Sequence, residues 1–366
     1  MMTGATGNTS DTEPTALVSA PEDGADADAD RFLIHARVLP SVLSYAQQSG
    51  CTTQQIDAEL ADLGLSEVRP DAYDSFIPLN RFGRLLQRFA KLLDDEAFGL
   101  CVADHTDTAA LGVLGKAYVS APDFATALGV VTHYMQLYAD VSFASLSVGD
   151  ERVEYSWAYS PMLVSCDFIC DRSLRFFIKS MREVFGHDIL PLEIHLQRTR
   201  PKNPAPFRAA LATNIRFDAR ANMIVLRRVD LDRKNPKSDP HAFELALALA
   251  ERMMSERRIP DDLSIRTRED IAVHLQDQGP DMNETARRLG MSPRTLQRRL
   301  EGLGTSFQAL ADDARKILAK ELLTQTLLPI NDIAYRLGFA NQANLTRAVK
   351  RWFDEAPRTV RKSASS

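Results

Sequence analysis

Two octets near the C-terminus constrain this chain more than any other feature. NETARRLG runs from Asn283 to Gly290, and NDIAYRLG from Asn331 to Gly338. Asn, Ala, Arg, Leu and Gly coincide at a shift of 48 residues, with Glu284 matched by Asp332. Each octet continues through a short turn into a second helical stretch, MSPRTLQRRL and FANQANLTRAV. There Leu296 aligns with Leu345 and Arg298 with Arg347. The pattern has a steric logic. Ala286 and Ala334 are small enough to let a second helix cross close to the first. Gly290 and Gly338 supply the positive φ that a tight helix-to-helix turn needs. Met291 and Phe339 are placed to fill the wedge, and Leu296 and Leu345 to anchor the second helix. Helices so related make a helix-turn-helix, whose second helix can enter a DNA major groove. Two such motifs are expected, at 282–301 and 330–353.

The segment between them, TSFQALADDARKILAKELL, reads as one helix. At about 19 residues it would be roughly 28 Å long. A rod of that length could hold two recognition helices about 34 Å apart, one turn of B-DNA. Charge agrees with this reading. From Arg266 to the end there are 17 Lys and Arg against 12 Asp and Glu. The remainder carries 27 against 37, so a basic C-terminal part is joined to an acidic body in a chain of net charge -5.

The outward faces are the candidate binding surface. In the first recognition helix Leu296, Leu300 and Leu303 are expected to face inward, leaving Arg294, Gln297, Arg298 and Glu301 opposite. In the second, Leu345, Val349, Trp352 and Phe353 recur at helical spacing. Asn341, Gln342, Asn344, Arg347 and Lys350 are left as a polar ridge. Arginine can bond guanine O6 and N7 together, and glutamine can do the same with adenine N6 and N7. Thr346 and Arg351 suit phosphates, which fix register without reading sequence. Ser292, Thr305 and Asn331 stand where helix caps are expected, with an N-terminal amide bonded to phosphate as an added role. The alternative use of the same surface is a helical protein-interaction module. Loss of affinity with salt and discrimination among duplexes separate the two.

Ahead of this lies a different kind of sequence. Residues 1–30 hold seven acids and no Lys or Arg, the composition of a disordered tail. VLPSVLSYAQQSG and TTQQIDAELADLG read as helices stopped by glycine. IPLNRFGRLLQRFAKLLDD reads as an amphipathic helix with Phe82, Leu85, Leu86, Phe89, Leu92 and Leu93 on its apolar side. APDFATALGVVTHYMQLYAD is expected to be a helix with Pro122 in its first turn. The period then changes to two: VSFASLSV, a turn at GD and RVEYSWAY predict a β-hairpin. A long helix from about Val164 to Phe185 follows, then strands at PLEIHLQ, TNIRFD and MIVLRRV. Helices with antiparallel strands make an α+β domain over 31–230. A linker with a helix (HAFELALALAERMM) occupies 231–263, and an all-α domain with two helix-turn-helix motifs joined by a long helix occupies 264–366. His133, Tyr134, Tyr138, Trp157 and Tyr159, polar-tipped aromatics around the hairpin, are candidates for an effector pocket, though ordinary core packing also accounts for them.

The segment from about Arg266 to Arg361 resembles the DNA-binding domain of the AraC/XylS family of bacterial transcription regulators. The family's second motif, in outline I-x-D-I-A-x-x-x-G-F then F-x-R-x-F-K-x-x-x-G-x-x-P, is met at Ile330, Asp332, Ile333, Ala334, Gly338, Phe339, Arg347, Lys350 and Pro357. Leu345 and Val349 stand for its two aromatics and Asp354 for its glycine. Residues 35–230 are similar to the effector domain of the family's ornithine- and virulence-regulator-like branch, which is labelled arabinose-binding-like. The resemblance implies double-stranded DNA and RNA polymerase as partners, base contacts at Arg294, Gln297 and Arg298, and activation of transcription. The N-terminal domain is expected to sense a small-molecule effector, to mediate self-association (a homodimer being one form), or both. Ala343 occupies a place where relatives can carry a polar reader.

Enzyme chemistry finds little purchase. Ser165, Asp167, His187 and His195 exist without a nucleophile elbow, a phosphate-cradling Gly loop or a metal-ligand cluster. A Pro-Cys-His context, as in DNA-repair methyltransferases carrying a similar module, is missing. Cys51, Cys101, Cys166 and Cys170 lack zinc-finger spacing and read as free thiols of a reducing cytoplasm. No apolar run approaches the roughly 20 residues that span a bilayer. No cofactor and no metal are expected.

Overall fold

In the computed structural model, residue 30 and residues 32–363 are described, apart from 73–74, 141–142, 160–162, 164–165, 220, 257–262, 276–278 and 326–327. The acidic tail expected over residues 1–30 falls, except for Asp30, outside the described residues.

The N-terminal half opens with β1 (Leu33–His35), then helices α1 (Leu39–Gln48) and α2 (Thr53–Asp62). α2 starts on a reciprocal cap. Thr52 Oγ1 accepts from Gln55 N at 3.2 Å, and Gln55 Oε1 accepts from Thr52 N at 2.9 Å. β2 (Phe76–Pro78) pairs antiparallel with β1 and leads into α3 (Leu79–Leu92). Phe82, Leu85, Leu86 and Phe89 of α3 are fully buried, as the amphipathic spacing requires. Leu92, expected on the same face, is 46% exposed because the helix ends there. α4 (Phe98–Asp104), α5 (Val113–Ser120) and α6 (Phe124–Tyr134) follow. Pro122 lies outside α6 rather than in its first turn. Asp123 is the cap, accepting from Thr126 N at 3.0 Å, so the extended residue with a short acceptor sets the start.

The hairpin forms as expected from β3 (Phe143–Val148) and β4 (Arg152–Ala158), in register Val148 opposite Val153. α7 (Asp167–Phe185) comes next, then β5 (Glu193–His195), α8 (Ala205–Leu211), β6 (Asn214–Arg216) and β7 (Asn222–Arg227). The sheet order is β3-β4-β7-β5-β6. One expectation is corrected here: β5 and β6 pair parallel, not antiparallel. Parallel neighbours need a crossover, and α8, unanticipated in the sequence, supplies it. α7 packs on the sheet face that carries Tyr155 and Trp157. Tyr155 stacks on Phe177 of α7 with ring centres 5.4 Å apart.

α9 (Pro240–Glu256) buries Ala246 and Ala250 and lies against α5. Beyond it, the described residues are helical throughout: α10 (Leu263–His274), α11 (Met282–Arg288), α12 (Pro293–Gly302), α13 (Phe307–Gln325), α14 (Ile330–Arg336), α15 (Gln342–Phe353) and α16 (Pro357–Ser363). α13, at 19 residues, joins the two helix-turn-helix pairs α11–α12 and α14–α15. No helix among the described residues is long and apolar enough to cross a membrane.

Candidate nucleic-acid interface and sensor cavity

The first pair is built around a tight turn. Asp281 caps α11 by accepting from Asn283 N at 2.7 Å and Glu284 N at 3.1 Å. Gly290 takes φ +71°, and Met291 N donates back to Ala286 O at 2.9 Å. Ser292 caps α12 by accepting from Thr295 N at 3.2 Å, with Pro293 in the first turn. Leu296 and Leu300 are fully buried. Leu303, expected inward beside them, is 53% exposed. It is the residue at which α12 ends, so it leaves the helical stripe.

The outward face of α12 presents Arg294, Gln297, Arg298 and Arg299, all exposed. Gln297 Nε2 donates to Glu301 Oε1 at 3.0 Å. The guanidinium groups of Arg294, Arg298 and Arg299 have no hydrogen-bond or ion-pair partner among the described residues. Arg288 of α11, by contrast, is tied down: its fork donates to both oxygens of Asp270 on α10, at 2.6 and 2.7 Å.

The second pair repeats the scaffold with different fixings. Gly338 takes φ +67°, and Phe339 N donates to Ala334 O at 2.9 Å. Asn331, expected as a cap, sits inside α14, whose start at Pro329 has no side-chain cap. Thr305 does not cap α13; Ser306 does, accepting from Ala309 N at 3.2 Å. Asn341 caps α15, accepting from Asn344 N at 3.0 Å. Leu345 and Val349 are fully buried, while Trp352 and Phe353 are half-buried.

Asn341, Gln342, Asn344, Thr346 and Arg347 line one open depression at the start of α15. Within it several groups are already engaged. Arg347 Nη2 donates to Asn344 Oδ1 at 2.6 Å, and Thr346 Oγ1 to Gln342 O at 2.9 Å. Arg351, expected to face phosphate, pairs with Asp312 of α13 at 2.5 Å, and Trp352 Nε1 donates to the same carboxylate at 3.0 Å. Gln342 and Lys350 are exposed, with no side-chain partner among the described residues. Arg315 of α13 clasps the turn. Its Nε donates to Leu337 O at 3.0 Å, its Nη2 to Gly338 O at 3.1 Å, and its guanidinium lies 4.8 Å from the centre of the Phe339 ring. Sequence reading missed Arg315, whose only signal is an arginine on the α13 face next to Ala311 and Ala314.

In the N-terminal half a cavity of about 70 Å³ lies between α7 and the sheet. Three of the five candidate effector residues, Tyr138, Trp157 and Tyr159, line it. The other two do not. Tyr134 turns to α9 and donates to a carboxylate oxygen of Glu251, and burial with that bond pushes its phenol up to about 12. His133 packs edge-on against the Tyr134 ring at 4.6 Å. Besides aliphatic and aromatic side chains the lining carries Arg172, Ser173 and Ser180, all on α7. That arginine was not anticipated. The available signal was a charge falling four residues before Phe176, in the buried stripe of α7.

All four cysteines are free thiols, Cys51 and Cys170 buried. Among the described residues no cluster of His, Cys, Asp and Glu is arranged to hold a metal.

Comparison with known proteins follows this division. The arabinose-binding domain found at the N-terminus of AraC transcription regulators matches residues 55–235, and a helix-turn-helix domain matches residues 285–363. The chain is similar to the ornithine utilization regulator of Pseudomonas aeruginosa, 25% identical over 304 residues, which cover 81% of this chain and 89% of that one. It is 26% identical over 296 residues to the HTH-type transcriptional regulator VirS of Mycobacterium tuberculosis, covering 79% and 85%. Among solved structures, the transcriptional regulator CdpR from Pseudomonas aeruginosa matches 77% of this chain and 96% of its own at 20% identity and a TM-score of 0.38.

Proposed function

We infer the function from one premise: this chain belongs to the AraC/XylS family of bacterial transcription regulators, and it is a DNA-binding regulator with a ligand-binding N-terminal domain. The finer reading is our proposal. α12 and α15 are the two recognition helices and enter successive major grooves on one face of the duplex, held apart by α13. Arg294, Gln297 and Arg298 read bases from α12. Gln342, Asn344 and Arg347 do so from α15, with Asn341, Thr346, Lys350 and Arg351 at its margins against sugar and phosphate. The observation that carries this is the set of exposed guanidinium groups on α12 with no partner among the described residues. Exposed guanidinium groups left free in this way are available to phosphates and base edges, and a polyanion that takes them up binds with a strong dependence on salt.

The division into a sensor over 31–230, a linker over 231–263 and a DNA-binding domain over 264–366 is part of the same proposal. The effector occupies the cavity beneath α7. From there two contacts lead to the linker helix: Tyr118 of the wall belongs to α5, on which α9 packs, and Met135 follows directly on Tyr134, which holds Glu251 of α9. A ligand that prefers one packing of α9 would bias how the DNA-binding domain is presented. Family resemblance supports activation through contact with RNA polymerase, self-association as a homodimer and a cytoplasmic location.

The test is binding of the full chain to the DNA upstream of its own and neighbouring genes, between about 50 and 200 mM salt, against scrambled duplexes. Binding that beats the scrambled competitor, falls with salt and collapses in an Arg298→Ala, Arg347→Ala double variant supports the proposal. Binding indifferent to sequence and to both arginines overturns it in favour of protein contact.

A further inference from the structure

The cavity beneath α7 contains a charge that no carboxylate among the described residues answers. Arg172 is 2% exposed, and no carboxylate is within ion-pair distance of it among the described residues. Its one hydrogen bond among the described residues is a long one, from Nη2 to the Tyr138 hydroxyl at 3.4 Å. The guanidinium also lies 5.9 Å from the centre of the Phe82 ring, and its Nε has no acceptor among the described residues. The neighbouring Asp171 is engaged elsewhere, paired with Arg198. The cavity tyrosines cannot supply the missing anion, because burial pushes the phenols of Tyr118 and Tyr159 well up and that of Tyr155 to about 12. A buried cation so placed is costly unless something pairs with it.

Three more polar atoms in the same wall are buried without partners among the described residues: the Tyr118 hydroxyl, Trp157 Nε1 and Ser180 Oγ. All three can donate a hydrogen bond, and the indole can only donate. Apart from Ser173, whose hydroxyl is hydrogen-bonded to that of Tyr159 at 3.0 Å, the rest of the lining is aromatic or aliphatic, with no Asp or Glu among the described residues. The wall therefore asks its occupant for acceptor oxygens and one negative charge on an apolar body.

We propose that the effector of this chain is a small organic monocarboxylate, whose carboxylate pairs with the Arg172 guanidinium and whose apolar body lies against Tyr155, Trp157, Phe176 and Phe177. This rests on the cavity being the effector site. A dibasic amino acid such as ornithine does not suit it, since two ammonium groups would meet a cation and no acid.

The experiment is calorimetry and thermal unfolding of the full chain with phenylacetate and hexanoate, against 2-phenylethanol, hexanol and ornithine. The acids should bind the wild type about tenfold or more tightly than the matching alcohols, as a charge-assisted bond in a dry site predicts, with ornithine inert. Arg172→Met should lose that advantage while binding the alcohols unchanged, and Arg172→Lys should keep part of it. Ligand-free Arg172→Met should be at least as stable as the wild type, because an unpaired buried charge has been removed. Acids no tighter than alcohols, or unaffected by Arg172→Met, overturn the carboxylate and leave the cavity as a ligand site. A ligand-free Arg172→Met that unfolds well below the wild type overturns it too, because the guanidinium then serves the fold. If neither acids nor alcohols bind, the effector-site reading itself falls.

Discussion

The two helix-turn-helix pairs share a sequence pattern and differ in how the rest of the domain holds them. The first is fastened by its leading helix, through the Arg288–Asp270 ion pair to α10, and its recognition helix is left with guanidinium groups unpaired among the described residues. The second is fastened at its turn and along its recognition helix, through Arg315 and Asp312 of α13, and within α15 Arg347 is bonded to Asn344. One repeat unit thus leaves α12 with guanidinium groups unpaired among the described residues and α15 with Arg347 and Arg351 engaged. The difference lies in the neighbours, because the repeated octets themselves are nearly the same.

The turn glycines give the sharpest test. Both sit at positive φ, where an L side chain is strained by about 1–2 kcal/mol. Around Gly290 an added Cβ meets nothing within 4 Å. Around Gly338 it would lie 2.5 Å from Leu275 O, a backbone atom with little room to yield. Gly338→Ala is therefore expected to destabilise the chain by about 3 kcal/mol or more, adding overpacking to strain, and Gly290→Ala by about 1 kcal/mol. Denaturant unfolding of both variants checks this. Equal losses would mean that the second turn is not clamped against α10.

A smaller effect is expected at the clasps. Arg315→Met keeps the bulk over Phe339 and strands the carbonyls of Leu337 and Gly338, for about 2 kcal/mol. Arg288→Met breaks a better-solvated pair and should cost about 1 kcal/mol at most. Both follow from the same unfolding measurement. A larger loss from Arg288→Met would reverse the order of rigidity drawn between the two pairs.

DNA affinity should show the opposite ranking. Arg298→Ala removes an arginine that has no competing partner and is expected to weaken specific binding by about 1–3 kcal/mol. Arg347 must give up or share its 2.6 Å bond to Asn344 to reach a base, so Arg347→Ala should weaken binding by about 1 kcal/mol. Equilibrium titrations at one salt concentration separate the two. If Arg347→Ala is the more damaging, the Asn344 bond orients the guanidinium for the base instead of competing with it.

How much of this could be read from the chain depends on the range of the interaction. The repeat was legible because Ala286, Gly290 and Leu296, with their counterparts, act within a dozen residues of one another. The long helix and hairpin were legible for the same reason of period. Leu303, Thr305 and Asn331 were misread because a helix end is set by which single residue turns extended, and composition leaves that open by one or two positions. The parallel pairing of β5 and β6 depends on α8, a helix of seven residues too short for its periodicity to register. Arg172 and Arg315 were hidden for a further reason: their partners lie on other elements, and a lone arginine in a helix reads as solvated until the fold encloses it.

The caps of the two recognition helices offer the smallest and most discriminating change. Ser292 and Asn341 each hold one amide of the first turn, and replacing either with alanine should cost about 1 kcal/mol of stability. Asn341 also stands at the rim of the depression where α15 would meet DNA, so Asn341→Ala alone confuses two roles. Asn341→Ser resolves them, because serine caps nearly as well but cannot present an amide to a base. Unchanged stability with weakened DNA binding would assign Asn341 to the contact surface. Unchanged stability and unchanged binding would make it a cap and nothing more, equivalent to Ser292 in the first pair, and direct readout by α15 would then rest on Gln342, Asn344 and Arg347.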